Sequence, residues 1–121
     1  MFEKELTIAE DLARKMGDIQ LKSFRKKIKV IRKSKKEFVT NIDMECQALS
    51  NKILEKEFDY DILSEEIISP SNISSDLFWV LDPIDGTHNY ISGLPNFGVS
   101  IALVSHDVFH LGVRNQKKLS L

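Results

Sequence analysis

One cysteine, three prolines and one tryptophan stand in a chain of 121 residues. A lone Cys46 cannot close an internal disulfide, so the core must hold the fold, as suits a reducing compartment. No apolar run approaches the roughly 20 residues that a membrane-spanning helix needs, so no membrane partner is expected. The N-terminus, Met1-Phe-Glu-Lys-Glu, is charged and lacks the apolar centre of a secretory leader, which makes a cytoplasmic protein the expectation. Charge of one sign is missing too. A net charge of −1 gives no global pull toward nucleic acid or an anionic surface. Internal repeats and low-complexity segments are absent. What remains is 42% hydrophobic and 29% charged, the composition of one ordinary globular domain with room for a real core.

Two segments read as helices. Leu6, Ala9, Leu12, Ala13, Met16, Ile19 and Phe24 form an apolar stripe over residues 3–24, with Gly17 as a candidate point of close packing. Ile42, Cys46, Leu49, Ile53, Leu54 and Phe58 form another, starting at Thr40. Short strands are expected at residues 29–32, 61–63 and 77–81, then at 97–104 and 108–113. Polar turns are expected at 33–37 and 105–107, with a loop over 70–75.

The run Trp79-Val-Leu-Asp82-Pro83-Ile84-Asp85-Gly86-Thr87 carries the chemistry. An apolar strand, Leu77 to Leu81, ends in two carboxylates three residues apart on a proline-stiffened turn. Hard cations such as Mg²⁺ take carboxylates together with substrate phosphate oxygens, and one small loop here offers the carboxylates. Gly86 lets backbone approach a ligand closely, and Thr87 offers a hydroxyl and an N–H where a helix can start. Asp-Pro and Asp-Gly are also ordinary turn dipeptides, so this run alone does not decide the matter.

Residues 79–103, W-V-L-D-P-I-D-G-T-H-N-Y-I-S-G-L-P-N-F-G-V-S-I-A-L, resemble the first signature of the inositol monophosphatase family of Mg²⁺-dependent phosphatases. Ile62-Leu63-Ser64-Glu65-Glu66 resembles the Glu-Glu that precedes that signature, and Val39-Thr40-Asn41-Ile42-Asp43 resembles the family's Val-Thr-x-x-Asp. The resemblance implies an α/β (α+β) fold, a layered αβαβα sandwich of which this chain supplies about the N-terminal half. It implies Mg²⁺ as cofactor, with Glu65, Asp82 and the carbonyl of Ile84 on one ion and Asp82 and Asp85 on a second. Glu65, Ile84, Asp85, Gly86 and Thr87 would meet the substrate, and the Asp43–Thr87 pair would help to activate the attacking water. Glu66, leaving a strand on the opposite side from Glu65, is expected either to support the metal ligands from behind or to be solvated. The reaction implied is hydrolysis of a phosphomonoester, a sugar or inositol phosphate, with inositol monophosphate leading.

Asp43 has a second reading that needs no catalysis. Thr40-x-x-Asp43 is a capping-box pattern at a helix start, and both readings stay open on the sequence. Lys22 to Lys36 holds nine cations in fifteen residues. With only Phe24 among them, base stacking lacks its platform, so a solvated face is expected and nucleic acid is not. The expectation has a rival, because some bacterial relatives associate with RNA-processing or transcription machinery; a non-catalytic remnant or an RNA- or protein-binding module is the alternative. His88, His106 and His110 show no zinc-ligand spacing with Cys46. Trp79 and Tyr90 are read as core anchors, Asn89 as a loop fastener, and Ser100 as a strand residue with no nucleophile elbow around it.

The family's second signature, built around Trp-Asp, is not found here. The chain is therefore expected to be a domain, residues 1–121, incomplete at its C-terminus and weak or inactive as an isolated phosphatase. Members of the family commonly dimerise, so a homodimer is an open expectation.

Overall fold

Two long helices form where the apolar stripes predict them. In the computed structural model, which describes residues 1–33, 38–64, 75–105 and 108–115, helix α1 spans Glu3–Ser23 and buries Ala9, Leu12, Ala13, Met16, Gly17 and Gln20. Leu6 lies outside this buried set and is largely exposed. Two short antiparallel strands follow, β1 at Val30–Arg32 and β2 at Phe38–Thr40, with Ile31 opposite Val39. Strand β2 has no signal in the sequence; three residues offer no period to count, and pairing with β1 defines the strand.

Helix α2 covers Asn41–Glu57, starting one residue after Thr40, which is its N-cap. Strand β3 runs over Asp61–Ser64 and β4 over Leu77–Asp85; then come helix α3 at Thr87–Ile91, strand β5 at Gly98–Ser105 and strand β6 at Phe109–Asn115. The last four strands form one sheet in the order β3-β4-β5-β6, parallel at β3–β4 and antiparallel elsewhere. Both long helices pack on one face of this sheet, α1 over β5 and β6 and α2 over β4.

Alternation along the strands sorts the two faces. Trp79 and Leu81 of β4, and Val99, Ile101 and Leu103 of β5, are buried under the helices. Burying a large apolar side chain contributes on the order of 1.5–3 kcal/mol, so this layer dominates the core. Phe24, Tyr90 and Phe97 make an aromatic cluster beside it, with Phe97 4.8 Å from each of the other two rings. The Tyr90 hydroxyl donates to the Gln20 carbonyl at 2.8 Å, tying α3 to α1. Trp79 and Tyr90 are thus the anchors expected of them. Val80, Asp82, Ser100 and Ala102 stand on the opposite face at intermediate exposure.

Strand β4 is longer than the sequence suggests, because it continues through Pro83 to Asp85. The register shows how. Asp82 pairs with Ser100, yet Asp85 pairs with Gly98, so three steps on β4 match two on β5. That extra residue is a β-bulge, where a proline without an N–H is tolerated. It also shifts the alternation by one. Pro83 and Ile84 are both buried, and Asp85 returns to the same face as Asp82.

Candidate active site

The bulge supplies the first half of the site: two carboxylates on one face at the end of a central strand. Asp82 borders an open concavity of about 410 Å³ that Leu63, Val80, Ser100 and Ala102 also line. Asp85, beyond the bulge, is partly exposed and forms an ion pair with Arg114 of β6 at 2.7 Å. Between them the Ile84 side chain is buried, while its carbonyl accepts a hydrogen bond from the Thr87 hydroxyl at 3.1 Å.

Gly86 then turns the chain into α3. Its φ is +92°, a left-handed value, and a Cβ there would lie 2.6 Å from the Asn96 carbonyl oxygen. Only glycine fits without displacement. Close approach here is to the protein's own backbone. Asn89 fastens the same loop, donating from Nδ2 to the Asn96 carbonyl at 2.9 Å, as expected from the sequence.

The second half comes from the start of α2. Asp43 is buried, and its Oδ2 accepts from Thr40 N at 2.7 Å and Thr40 Oγ1 at 2.6 Å. Thr40 Oγ1 in turn accepts from the N–H groups of Ile42 and Asp43, which completes a capping box. The other oxygen, Oδ1, lies 3.4 Å from Thr87 Oγ1. Asp43 therefore caps α2 and also faces Thr87. His88, next along α3, stands edge-on to Phe38 at 5.2 Å between ring centres.

The segment Asp82–Asp85 is also held from behind. Gln20 is fully buried on the inner stripe of α1, and its Nε2 donates to the Pro83 carbonyl. Sequence reasoning missed this residue. Its signal was an amide at helical spacing from Ala13 and Met16, on a face that is otherwise apolar. Arg114 was missed as well, and no local signal marks it, because only strand register brings it to Asp85.

Six of the expected site residues are thus located: Asp43 and Thr87 face each other, Ile84 bonds Thr87, Gly86 makes the turn, and Asp82 and Asp85 share a face. Glu65 and Glu66 lie outside the described residues, as do His106, residues 34–37 of the turn expected at 33–37 and residues 70–74 of the expected loop. Among the described residues, no group of three acidic, histidine or cysteine side chains is assembled to hold a metal ion. The donors that are described suit a hard divalent cation in kind, since two carboxylates and a carbonyl offer oxygen alone.

A profile of the inositol monophosphatase family matches residues 2–116. The chain belongs to the inositol monophosphatase family. Among curated proteins it is similar to the Nus factor SuhB of Haemophilus influenzae, 35% identical over 111 residues, which covers 89% of this chain and 42% of that protein. Among solved structures it is similar to an IMPase of Thermotoga maritima, with a TM-score of 0.83 and 35% identity over 93% of this chain and 44% of that one. The fold alone is shared with an IMPase/NADP phosphatase solved with Mg²⁺ and phosphate, at a TM-score of 0.75 and 19% identity, covering 94% of this chain and 45% of that one. The chain therefore spans less than half the length of the inositol monophosphatase relatives that it matches, and the α/β fold class expected from its motifs is the observed one. The naming of the SuhB relative as a Nus factor gives no support to the expectation that nucleic acid is not a partner. No described helix is long and apolar enough to cross a membrane.

Proposed function

We propose that this chain carries the metal- and water-activating part of a Mg²⁺-dependent phosphomonoesterase, with inositol monophosphate as the leading substrate. The contact that carries the reading is the approach of Asp43 Oδ1 to Thr87 Oγ1, beside a loop with two carboxylates on one face. A capping box needs neither Thr87 nor the bulge. A site that orients water beside a cation needs both.

Each residue then has a task. Asp82, Asp85 and the Ile84 carbonyl would hold Mg²⁺ together with Glu65, and the ions would lower the pKa of bound water and stabilise the leaving oxygen. Thr87 is too weak a base alone. Its single hydroxyl proton has two acceptors within reach, Ile84 O and Asp43 Oδ1. Directed at Asp43, it leaves an oxygen lone pair to accept a hydrogen bond from water and aim that water at phosphorus; as the water attacks, its proton passes to Thr87 Oγ1 while the Thr87 proton passes to Asp43 Oδ1. The N–H groups of Gly86 and Thr87 would meet the phosphate oxygens, and charge stabilisation with positioning supplies most of what phosphoryl transfer asks of a protein.

The test is phosphate release from inositol monophosphate by the full chain in Mg²⁺. Turnover that falls at least about tenfold in Asp82→Asn, as removal of a metal-site group should cause, supports the reading. Full turnover in that variant refutes the assignment.

A second reading is favoured by the Nus factor name of the relatives. Lys22, Arg25, Lys26, Lys27, Lys29, Arg32 and Lys33 are exposed and could face an RNA backbone. Salt-dependent RNA retention that Asp85→Asn leaves unchanged would support a binding role separate from the phosphatase site.

A further inference from the structure

Arg114 belongs to none of the motifs, yet it reaches the candidate metal site. Cross-strand register places it there: Asp82 pairs with Ser100, and Ser100 pairs with Arg114 on the far side. Residues paired across adjacent strands project from the same face, so Asp82, Ser100 and Arg114 form a row across β4, β5 and β6. Asp85 joins that face because of the bulge, and the Arg114 guanidinium reaches its Oδ2 at 2.7 Å.

The geometry points to Arg114 as a resident cation that competes with a divalent ion for Asp85. The inference rests on reading Asp85 as a metal ligand. A carboxylate oxygen held by a guanidinium cannot also donate fully to Mg²⁺, and the arginine charge repels an arriving cation. Metal binding through Asp85 Oδ2 therefore requires the ion pair to open. Both side chains are well exposed, 69% for Arg114 and 39% for Asp85, so the pair is a weak one and opening it is feasible. An exposed pair of this kind changes a binding constant by about two- to fivefold.

The experiment is a Mn²⁺ titration of the full chain followed by electron paramagnetic resonance, which counts free ion without any turnover. Arg114→Gln should bind Mn²⁺ about two- to fivefold more tightly, and Arg114→Lys, which keeps the charge, should stay near the parent. In an Asp85→Asn background, Arg114→Gln should tighten binding clearly less, since the contested carboxylate charge is gone and only the repulsion by Arg114 is relieved. If Asp85→Asn weakens binding but Arg114→Gln leaves it unchanged or weaker, the competition is refuted while the metal site stands. If Asp85→Asn leaves Mn²⁺ binding unaltered, the metal reading of Asp85 and the competition fall together.

Discussion

Asp43 Oδ1 lies 3.4 Å from the Thr87 hydroxyl, while the Oδ2 of the same carboxylate accepts two hydrogen bonds from Thr40. One side chain thus joins the start of α2 to the start of α3. The capping bonds set its orientation, so the oxygen turned toward Thr87 has little freedom to swing away. Under the proposed function, helix initiation and water activation would draw on the same residue, and mutation separates the two roles.

Thr87→Val should leave the α2 cap intact and change stability by less than about 1 kcal/mol, while phosphate release falls. Asp43→Ala should lower both, with a stability loss of about 0.5–2 kcal/mol from the broken cap. Thermal melts and turnover measured on the same preparations check the pair. Equal stability losses in the two variants would contradict the division of roles.

Gln20→Leu should destabilise the chain by about 1–3 kcal/mol, because the buried Pro83 carbonyl loses its donor from α1. The loss is read as a lower urea midpoint with an unchanged denaturant slope. An unaltered midpoint would mean that Pro83 finds another partner.

Gly86→Ala should cost about 1–3 kcal/mol from the left-handed backbone alone. The clash with the Asn96 carbonyl adds to that figure. Gly93, also at positive φ, has only the Arg25 side chain near its missing Cβ, so Gly93→Ala should be the milder change. Melting temperatures of the two variants rank them directly.

Stability should fall at alkaline pH. Burial pushes the Cys46 thiol up from its ordinary 9.0 to about 12, and burial likewise raises the Tyr90 hydroxyl above its ordinary 10.0. Above pH 9 the unfolded chain releases the thiol proton while the folded chain keeps it. The contribution is therefore fully present below pH 9 and is lost as pH rises toward 12, with Tyr90 adding from about pH 10 upward. The slope from one such group reaches about 1.4 kcal/mol per pH unit. Urea midpoints at pH 8 and pH 10.5 test this; equal midpoints would contradict it. Thiol reagents should likewise label Cys46 only on unfolding, as the buried group has almost no thiolate.

The legible parts of this chain were those that a local pattern encodes. The stripes of α1 and α2 repeat over several turns, and Leu77–Leu81 is a continuous apolar run, so each announced itself. Thr40-x-x-Asp43 predicted a cap, and the cap is there. The Asp82–Thr87 run pointed to the candidate site through its resemblance to a known signature. What stayed hidden depends on register. The bulge that turns Asp82 and Asp85 to one face is a relation between β4 and β5, although Pro83 inside a strand hinted at it. Arg114 meets Asp85 only because β6 pairs with β5. Gln20 had a trace, a polar side chain in an inward stripe, but its target lies 63 positions away.

On the proposed function, the Asp82–Thr87 segment binds phosphate through Mg²⁺. Calorimetric titration of inorganic phosphate into the full chain, with and without Mg²⁺, tests it without requiring turnover. Phosphate binding should appear only with Mg²⁺ and disappear in Asp82→Asn. Phosphate binding that is indifferent to Mg²⁺, or that survives Asp82→Asn unchanged, would contradict it.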